Sequence, residues 1–260
     1  AREKPIILEG DINIHYKIIS ELSNYNINQP SSVQNLDSQL MHIQKQGILR
    51  VYEIYEFIKI INYFLYLKRF NFEGKLLEWM DKIVIPNEIL KICEYFDDKA
   101  NLKEGVDEDF DNIKQAIYKN KEEIKQSLYK TINSSKIKPY LVDMQVHFIN
   151  EQECLLVRGG FNHILSGSVI DRSNSGFFYV IPHSVSDLKQ KQSDLKNKQE
   201  EILFKLCKEI SHIFERNLLF LKFINKEFDT FDHYQARIFF SKIGDKNFIG
   251  ISSVPVVFTK

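Results

Sequence analysis

Glycine and proline are scarce in this sequence, and cysteine is scarcer still. Among 260 residues there are 10 Gly, 6 Pro and 3 Cys. So few turn-forming residues argue against an all-β fold of many short strands and leave room for long helices. Cys93, Cys154 and Cys207 are widely spaced and odd in number, which excludes a disulfide framework. We therefore expect a reducing, cytoplasmic environment.

Long apolar runs and an excess of charge are lacking as well. The hydrophobic stretch at residues 60–67 is far shorter than the ~20 residues that a membrane-spanning helix needs, so we expect no membrane partner. The 35 basic residues balance the 35 acidic ones, and hydrophobic residues make up 43% of the chain. This composition is typical of a globular protein and excludes a disordered chain.

Sequence motifs for catalysis are also missing. The chain contains no phosphate-binding loop, no HExxH, no GxSxG and no dinucleotide fingerprint, and no histidine has a partner at zinc spacing. Asp171-Arg172-Ser173 suggests part of a catalytic triad, but a polar turn explains these residues better. Cys154 lies in an apolar run, which favours a buried side chain over a nucleophile. The sequence predicts no catalytic residue, metal or cofactor within this chain.

The first part of the chain, residues 1–106, is predicted to form a helical core lobe. Apolar residues recur at helical spacing in Ile12–Leu22, and Tyr52–Phe70 is apolar nearly all round, as expected of a central helix. Shorter helical segments follow at residues 71–80 and 88–96. Local connections without alternating patterns favour an all-helical lobe.

A long helix is predicted next, within an outgoing segment at residues 107–140. Its acidic start suits the positive end of a helix dipole. As one helix, Asp107–Ser135 would span roughly 44 Å. Its apolar stripe is narrow, as expected of a helix that packs on a single partner. The stripe consists of Ile113, Ile117, Ile124, Leu128 and Ile132.

In residues 141–183 the helical spacing of apolar residues gives way to short strand-like runs, which predict a small, antiparallel β unit. Short β-branched and aromatic runs are separated by glycine- and serine-containing turns. The aromatic run Phe177-Phe178-Tyr179 has two explanations. It is either the core of the small sheet or an exposed surface that docks a protein.

A second long helix is predicted in a returning segment at residues 184–226. Leu188, Leu195 and Ile202 repeat every seven residues, and Gln192 and Gln199 fall on the same seam. Polar seam residues fix the register of paired helices at some cost in stability. The simplest arrangement is a long antiparallel two-helix lever capped by the β unit.

Residues 227–260 are expected to return to the lobe through a helix at Phe231–Ile243. They end in a strand-like run, Phe248–Phe258, which suggests a piece of a longer protein. The predicted fold class is mainly α with a small β insertion, comprising the helical lobe, the lever and a β clamp unit.

Positive charge is concentrated in the two predicted arms. Residues 112–140 hold 7 basic and 2 acidic side chains, whereas residues 1–111 hold 13 basic and 19 acidic ones. Lysines placed this way suit contacts with nucleic-acid phosphates, which give affinity without sequence specificity. A solvated face of paired helices explains them equally well. The candidate nucleic-acid-binding residues are Lys136, Lys138, Arg158, Arg172, Lys189, Lys191, Lys196 and Lys198.

Three segments resemble a known family. They are Gly167–Gly176 running up to Pro182, Phe231-Asp232 with Gln235-Ala236-Arg237, and Gly105–Phe110 with Ile113. Together with the order of parts, they resemble the core, lever and clamp region of the MutS family of ATPases, in its second bacterial branch. Ile181 stands where that branch usually has a glutamate before the proline, and the preceding stretch is one residue shorter.

The resemblance implies a non-catalytic core, lever and clamp fragment, with Asp171, Ser173, Ser175 and Gly176 forming the clamp turn. It implies a longer parent protein that binds ATP and Mg²⁺, carries an ATPase domain and often a nuclease domain, and closes as a homodimer around nucleic acid. Family roles include suppressing recombination through branched DNA and acting on stalled ribosomes, so the backbone contacted is DNA or ribosomal RNA. The alternative is a coiled-coil dimerisation or protein-docking scaffold without direct nucleic-acid contact.

Overall fold

The computed structural model describes residues 10–30, 32–150, 152–161 and 164–243. This part of the chain contains eight α-helices and one four-stranded sheet, which confirms a mainly α fold with a small β unit. The helices are α1 (Ile12–Leu22), α2 (Asp37–Gln44), α3 (Val51–Leu67), α4 (Gly74–Asp81), α5 (Asn87–Glu94), α6 (Glu108–Ile132), α7 (Ser186–Arg216) and α8 (Leu218–Ile243). The strands are β1 (Leu141–Ile149), β2 (Gln152–Val157), β3 (Gly167–Arg172) and β4 (Phe178–Pro182).

The described residues form two compact units. The first contains the residues up to Lys103 and those from Lys205 onward, and the second is Glu104–Phe204. No helix in the described ranges is both long and apolar enough to cross a membrane. The expected strand at Phe248–Phe258 lies outside the described residues.

The first unit is built around α3 and α8. Apolar residues on nearly every side of α3 allow it to be buried among neighbours, and Phe57, Phe64 and Leu67 are fully buried. The aromatic residues of α8 contact it from one side, and the Trp79 ring stacks on the Phe231 ring with their centroids 5.8 Å apart. The Trp79 indole nitrogen donates to a Glu227 carboxylate oxygen at 2.5 Å.

Helix α8 begins at Leu218, thirteen residues before the helix that the sequence predicts at Phe231. The returning helix ends at Arg216, before the end of the predicted returning segment at residue 226. Asn217 separates the two helices, and its side-chain nitrogen donates to the backbone oxygen of Ile213 at 2.9 Å. The backbone N–H of Asn217 donates to the same Ile213 oxygen at 3.1 Å, so the main chain and the side chain of Asn217 share one acceptor where α7 ends.

In the second unit, α6 begins at a side-chain cap. The Asp107 carboxylate accepts a hydrogen bond from the backbone N–H of Phe110 at 2.7 Å, which satisfies one of the free donors of the first turn. One face of α6 then buries Ile124 and Leu128 completely. That face packs on the inner side of the sheet, where Leu155 and Val180 are also buried.

The four strands pair in the order β1-β2-β4-β3, and every neighbouring pair is antiparallel. The sequence prediction of an antiparallel β unit is thus confirmed. Strand β2 lies between β1 and β4, and its last four residues are buried. The two edge strands are irregular: the register shifts between Leu141 and Val146 in β1, and between Val169 and Asp171 in β3.

Candidate nucleic-acid interface

Helix α6 and the first part of α7 lie side by side and run in opposite directions. The Ser127 hydroxyl donates to the backbone oxygen of Ser184 at 3.3 Å, just before α7 begins. Further along α7, the Lys191 ammonium lies 3.5 Å from the Glu123 carboxylate, one turn earlier on α6. These two contacts fix which residues of the second unit's helices face each other.

Six of the eight candidate basic residues are exposed and form no ion pair within the described part of the chain, and five of these also have no cation–π contact there. Lys136 and Lys138 follow the end of α6, and the backbone N–H of Arg158 donates to the Tyr140 oxygen at 2.8 Å. That bond places Arg158 beside the Lys138–Tyr140 turn. Five positive charges without either contact are thus available to solvent. They are Lys136, Lys138, Arg158, Lys196 and Lys198.

The candidate lysines are distributed along the helix pair. Lys191 faces Glu123 of α6. Lys196 lies five residues beyond Lys191, which is about 8 Å further along the axis of α7. Lys198 lies about 10 Å beyond Lys191 on the same scale. Lys136 and Lys138 lie at the opposite end, next to the sheet. Any phosphate chain that contacts all of them must therefore follow the pair lengthwise.

Lys189 and Lys191 are engaged within the protein. The Lys189 ammonium donates to the Glu153 carboxylate on β2, and its side chain is only 14% exposed. Burial, followed by repulsion from Lys196, lowers the pKa of Lys189. Lys191 and Glu123 are both partly exposed, so their pair is screened by water and contributes little to stability. Lys189 therefore anchors α7 to the sheet, and its charge is neutralised there.

Arg172 is exposed, but its guanidinium lies over the Phe178 ring, 4.7 Å from the centroid. Such a cation–π contact holds the side chain against β4 and leaves its edge in water. Arg172 can still meet a phosphate, although its position is set by the sheet rather than by the helix pair.

The residues predicted to form the clamp turn are joined by local hydrogen bonds that involve the backbone. The Ser173 hydroxyl accepts from the Phe177 N–H at 3.1 Å, and the Gly176 N–H donates to the Ser173 oxygen at 2.9 Å. Gly176 has φ +82°, which favours glycine because it has no Cβ. The Asp171 carboxylate accepts from the Arg172 N–H at 2.7 Å. Ser175 is exposed. These residues shape the turn between β3 and β4 through local bonds.

The aromatic run at residues 177–179 is half-buried throughout. The Phe178 ring lies 5.6 Å from the Phe161 ring, on the side of the sheet that faces the core. The Tyr179 ring lies 5.6 Å from the His147 ring on the other side. The run therefore alternates between the two faces of β4 and does not form a continuous exposed patch.

Substituting Gly167 by alanine should destabilise the sheet. A Cβ at this position would lie 2.5 Å from the backbone oxygen of Ile181, which belongs to the paired strand and cannot move away freely. We expect a decrease in stability on the order of 1–3 kcal/mol, as for other overpacked sites. Urea unfolding followed by circular dichroism measures it. Gly159→Ala is the control, because its Cβ would meet nothing within 4 Å; equal stability of the two variants would contradict the argument.

The described residues contain no cluster of His, Cys, Asp and Glu that fits a metal ion. Cys93, Cys154 and Cys207 are buried without a disulfide. Burial raises the pKa of Cys154 to about 11, so its thiol stays protonated at neutral pH. A protonated, buried thiol is a poor nucleophile, which agrees with the structural explanation of Cys154.

Asn120 is a buried polar residue that sequence reasoning missed. It lies on the buried face of α6, is 0% exposed, and neither its side-chain nitrogen nor its oxygen has a hydrogen-bond partner. The signal was present in the sequence, because the apolar stripe of α6 skips from Ile117 to Ile124 and Asn120 occupies the gap. The polar seam residues that the sequence predicts, the glutamines of α7, are only half-buried.

Comparison with known proteins identifies two similar bacterial sequences. Both are named Endonuclease MutS2 and come from Helicobacter pylori, strains 26695 and J99. They are 32% and 31% identical to this chain over 254 residues, which covers 96% of the chain. The chain spans only 33% of the length of either relative. A scan against protein-family models found no match.

Proposed function

Since the chain is similar to MutS2 sequences along 96% of its length, we propose that it is the non-catalytic core, lever and clamp part of a longer MutS-like protein. In this role it contacts the backbone of nucleic acid. The lever is the pair formed by α6 and the first part of α7, and the clamp is the four-stranded sheet.

One observation carries the proposal: five of the eight candidate cations are exposed and have neither an ion-pair partner nor a cation–π contact in the described part of the chain. When exposed, unpaired lysine and arginine side chains neutralise phosphates, counterions that were condensed on the nucleic acid are released. This release makes binding favourable and dependent on salt. We assign the backbone contacts to Lys136, Lys138, Arg158, Lys196 and Lys198. Contacts of this kind position a nucleic acid but do not read its sequence.

The remaining functions belong, in this proposal, to the parts of the longer protein that this chain does not include. These parts would bind ATP and Mg²⁺, and the name of the relatives associates them with an endonuclease. The parent protein would act in the cytoplasm as a homodimer that encloses DNA or ribosomal RNA. The scaffold alternative has weaker support, because its motivation was an exposed aromatic run and residues 177–179 are half-buried.

Removing four of the assigned charges tests the proposal. We expect Lys136→Gln, Lys138→Gln, Lys196→Gln and Lys198→Gln together to weaken binding to duplex and branched DNA. The slope of log affinity against log salt should flatten by about 0.9 for each phosphate that the variant no longer neutralises. Fluorescence anisotropy of labelled DNA at several salt concentrations measures both quantities.

The matched control removes four exposed lysines of the first unit, Lys45, Lys82, Lys91 and Lys103. It changes the net charge equally and should leave the salt slope nearly unchanged. Binding that does not depend on salt, or equal weakening in both quadruple variants, would show that the assigned residues do not contact the backbone.

A further inference from the structure

One exposed face of α6 combines positive charge with aromatic rings. Its members are spaced at four, three, four and four residues, so they line up along one side of the helix. The Tyr118 and Tyr129 side chains are 70% and 47% exposed, so both rings are accessible from solvent. We call this face the tyrosine–lysine stripe. It consists of Lys114, Tyr118, Lys121, Lys125 and Tyr129.

The stripe is separate from the packed face of α6. Ile124 and Leu128, which pack on the sheet, are fully buried, whereas all five members of the stripe are exposed. The fold therefore does not use the tyrosines as core residues. None of the three lysines forms an ion pair with a described residue, and the flanking Glu122 is half-buried without an ion pair in the same ranges. The stripe thus keeps a net positive charge.

We propose that the tyrosine–lysine stripe binds an unpaired stretch of nucleic acid, with its lysines on phosphates and its tyrosines stacked on bases. Charge complementarity selects a polyanion. The exposed rings select unpaired bases, because a base in a duplex is already stacked and paired, whereas a base in a single strand offers a free π-face.

The length of the stripe fits a short single strand. Tyr118 and Tyr129 are eleven residues apart, which is about 16 Å along the helix. At about 3.4 Å per nucleotide, this distance covers about five stacked nucleotides. A site of this size falls within the range of about 4–16 nucleotides seen for other single-strand-binding modules. The proposal uses none of the residues assigned to backbone binding above, so either proposal can fail alone.

The role of the tyrosines is tested by the double substitution Tyr118→Ala, Tyr129→Ala in the 260-residue chain. Base stacking on an aromatic side chain contributes enough that we expect the affinity for labelled oligothymidine of about ten nucleotides to fall at least about tenfold. Affinity for a blunt duplex of the same length should stay within about twofold. The Tyr118→Phe, Tyr129→Phe variant keeps the rings and should bind the single strand normally. Oligouridine run in parallel distinguishes RNA from DNA as the source of the strand.

The lysines have a matched control on the same helix. Lys121→Gln with Lys125→Gln should flatten the salt slope for the single strand by about 0.7 for each phosphate that is no longer neutralised. Lys119→Gln with Lys130→Gln removes the same charge from another exposed side of α6 and should leave the slope unchanged. Unchanged oligonucleotide affinity in the alanine variant, or equal flattening in both lysine pairs, overturns the proposal.

Discussion

Replacing Leu128 by alanine should destabilise the second unit by about 2–5 kcal/mol, as large-to-small substitutions in packed cores do. Leu128 is fully buried and belongs to the cluster that joins α6 to Leu155 and Val180 of the sheet. Removal of its methyl groups would leave a cavity between α6 and the sheet, and packed surroundings close such a cavity only in part.

Hydrogen exchange of the strands is the most direct measurement for Leu128→Ala. Peptides from β2 and β4 should become less protected, since they share this core. The single tryptophan does not report on it, because Trp79 contacts Phe64, Phe231 and Tyr234, which all belong to the first unit. Gln126→Ala, at an exposed position of the same helix, is the control and should change stability by less than about 0.5 kcal/mol. Full protection of the strands in Leu128→Ala would refute the packing argument.

Position 120 should respond in opposite directions to two substitutions. Asn120→Leu is expected to stabilise the second unit by about 1–3 kcal/mol, because it removes a buried amide that lacks both of its hydrogen-bond partners. Asn120→Asp should destabilise it by about 3–5 kcal/mol at neutral pH, because the same site would then hold an uncompensated charge.

The pH dependence separates charge from shape at position 120. Burial would raise the pKa of the new carboxyl group above its unfolded value of about 3.9. The penalty of Asn120→Asp should therefore be largest above the folded pKa and vanish as the pH falls below about 3.9, where the group is protonated in both states. Urea titrations of both variants across this pH range measure it. A leucine variant less stable than the unaltered protein would mean that the amide has a partner in solution.

The helices of the second unit were predictable because their signals are local. The acidic start and the apolar stripe predicted a helix over 107–135, and α6 occupies Glu108–Ile132. The break after Arg216 was not predictable from the same pattern. Apolar spacing continues across it without glycine or proline, and nothing in the sequence distinguishes Asn217, whose side chain marks the break, from the other asparagines.

The state of each candidate lysine was beyond sequence reasoning for a different reason. Lys189 looks like its neighbours, yet it is paired with Glu153, which lies 36 residues earlier in the chain. That pairing depends on how α7 is set against β2, and no local pattern encodes it. The tyrosine–lysine stripe was not predicted either, because tyrosines at helical spacing are as typical of a packed face as of an exposed one.

The irregular edge strands affect how readily two copies of the chain can pair strand to strand. An uninterrupted edge offers a row of free backbone donors and acceptors on which a strand of another molecule can assemble. Here β1 and β3 are both broken by a shift in register, while the regular pairing of β2 with β4 is enclosed between them. Molecules gathered at high local concentration therefore meet interrupted edges, which are poorer templates for intermolecular sheet growth than straight, regular ones.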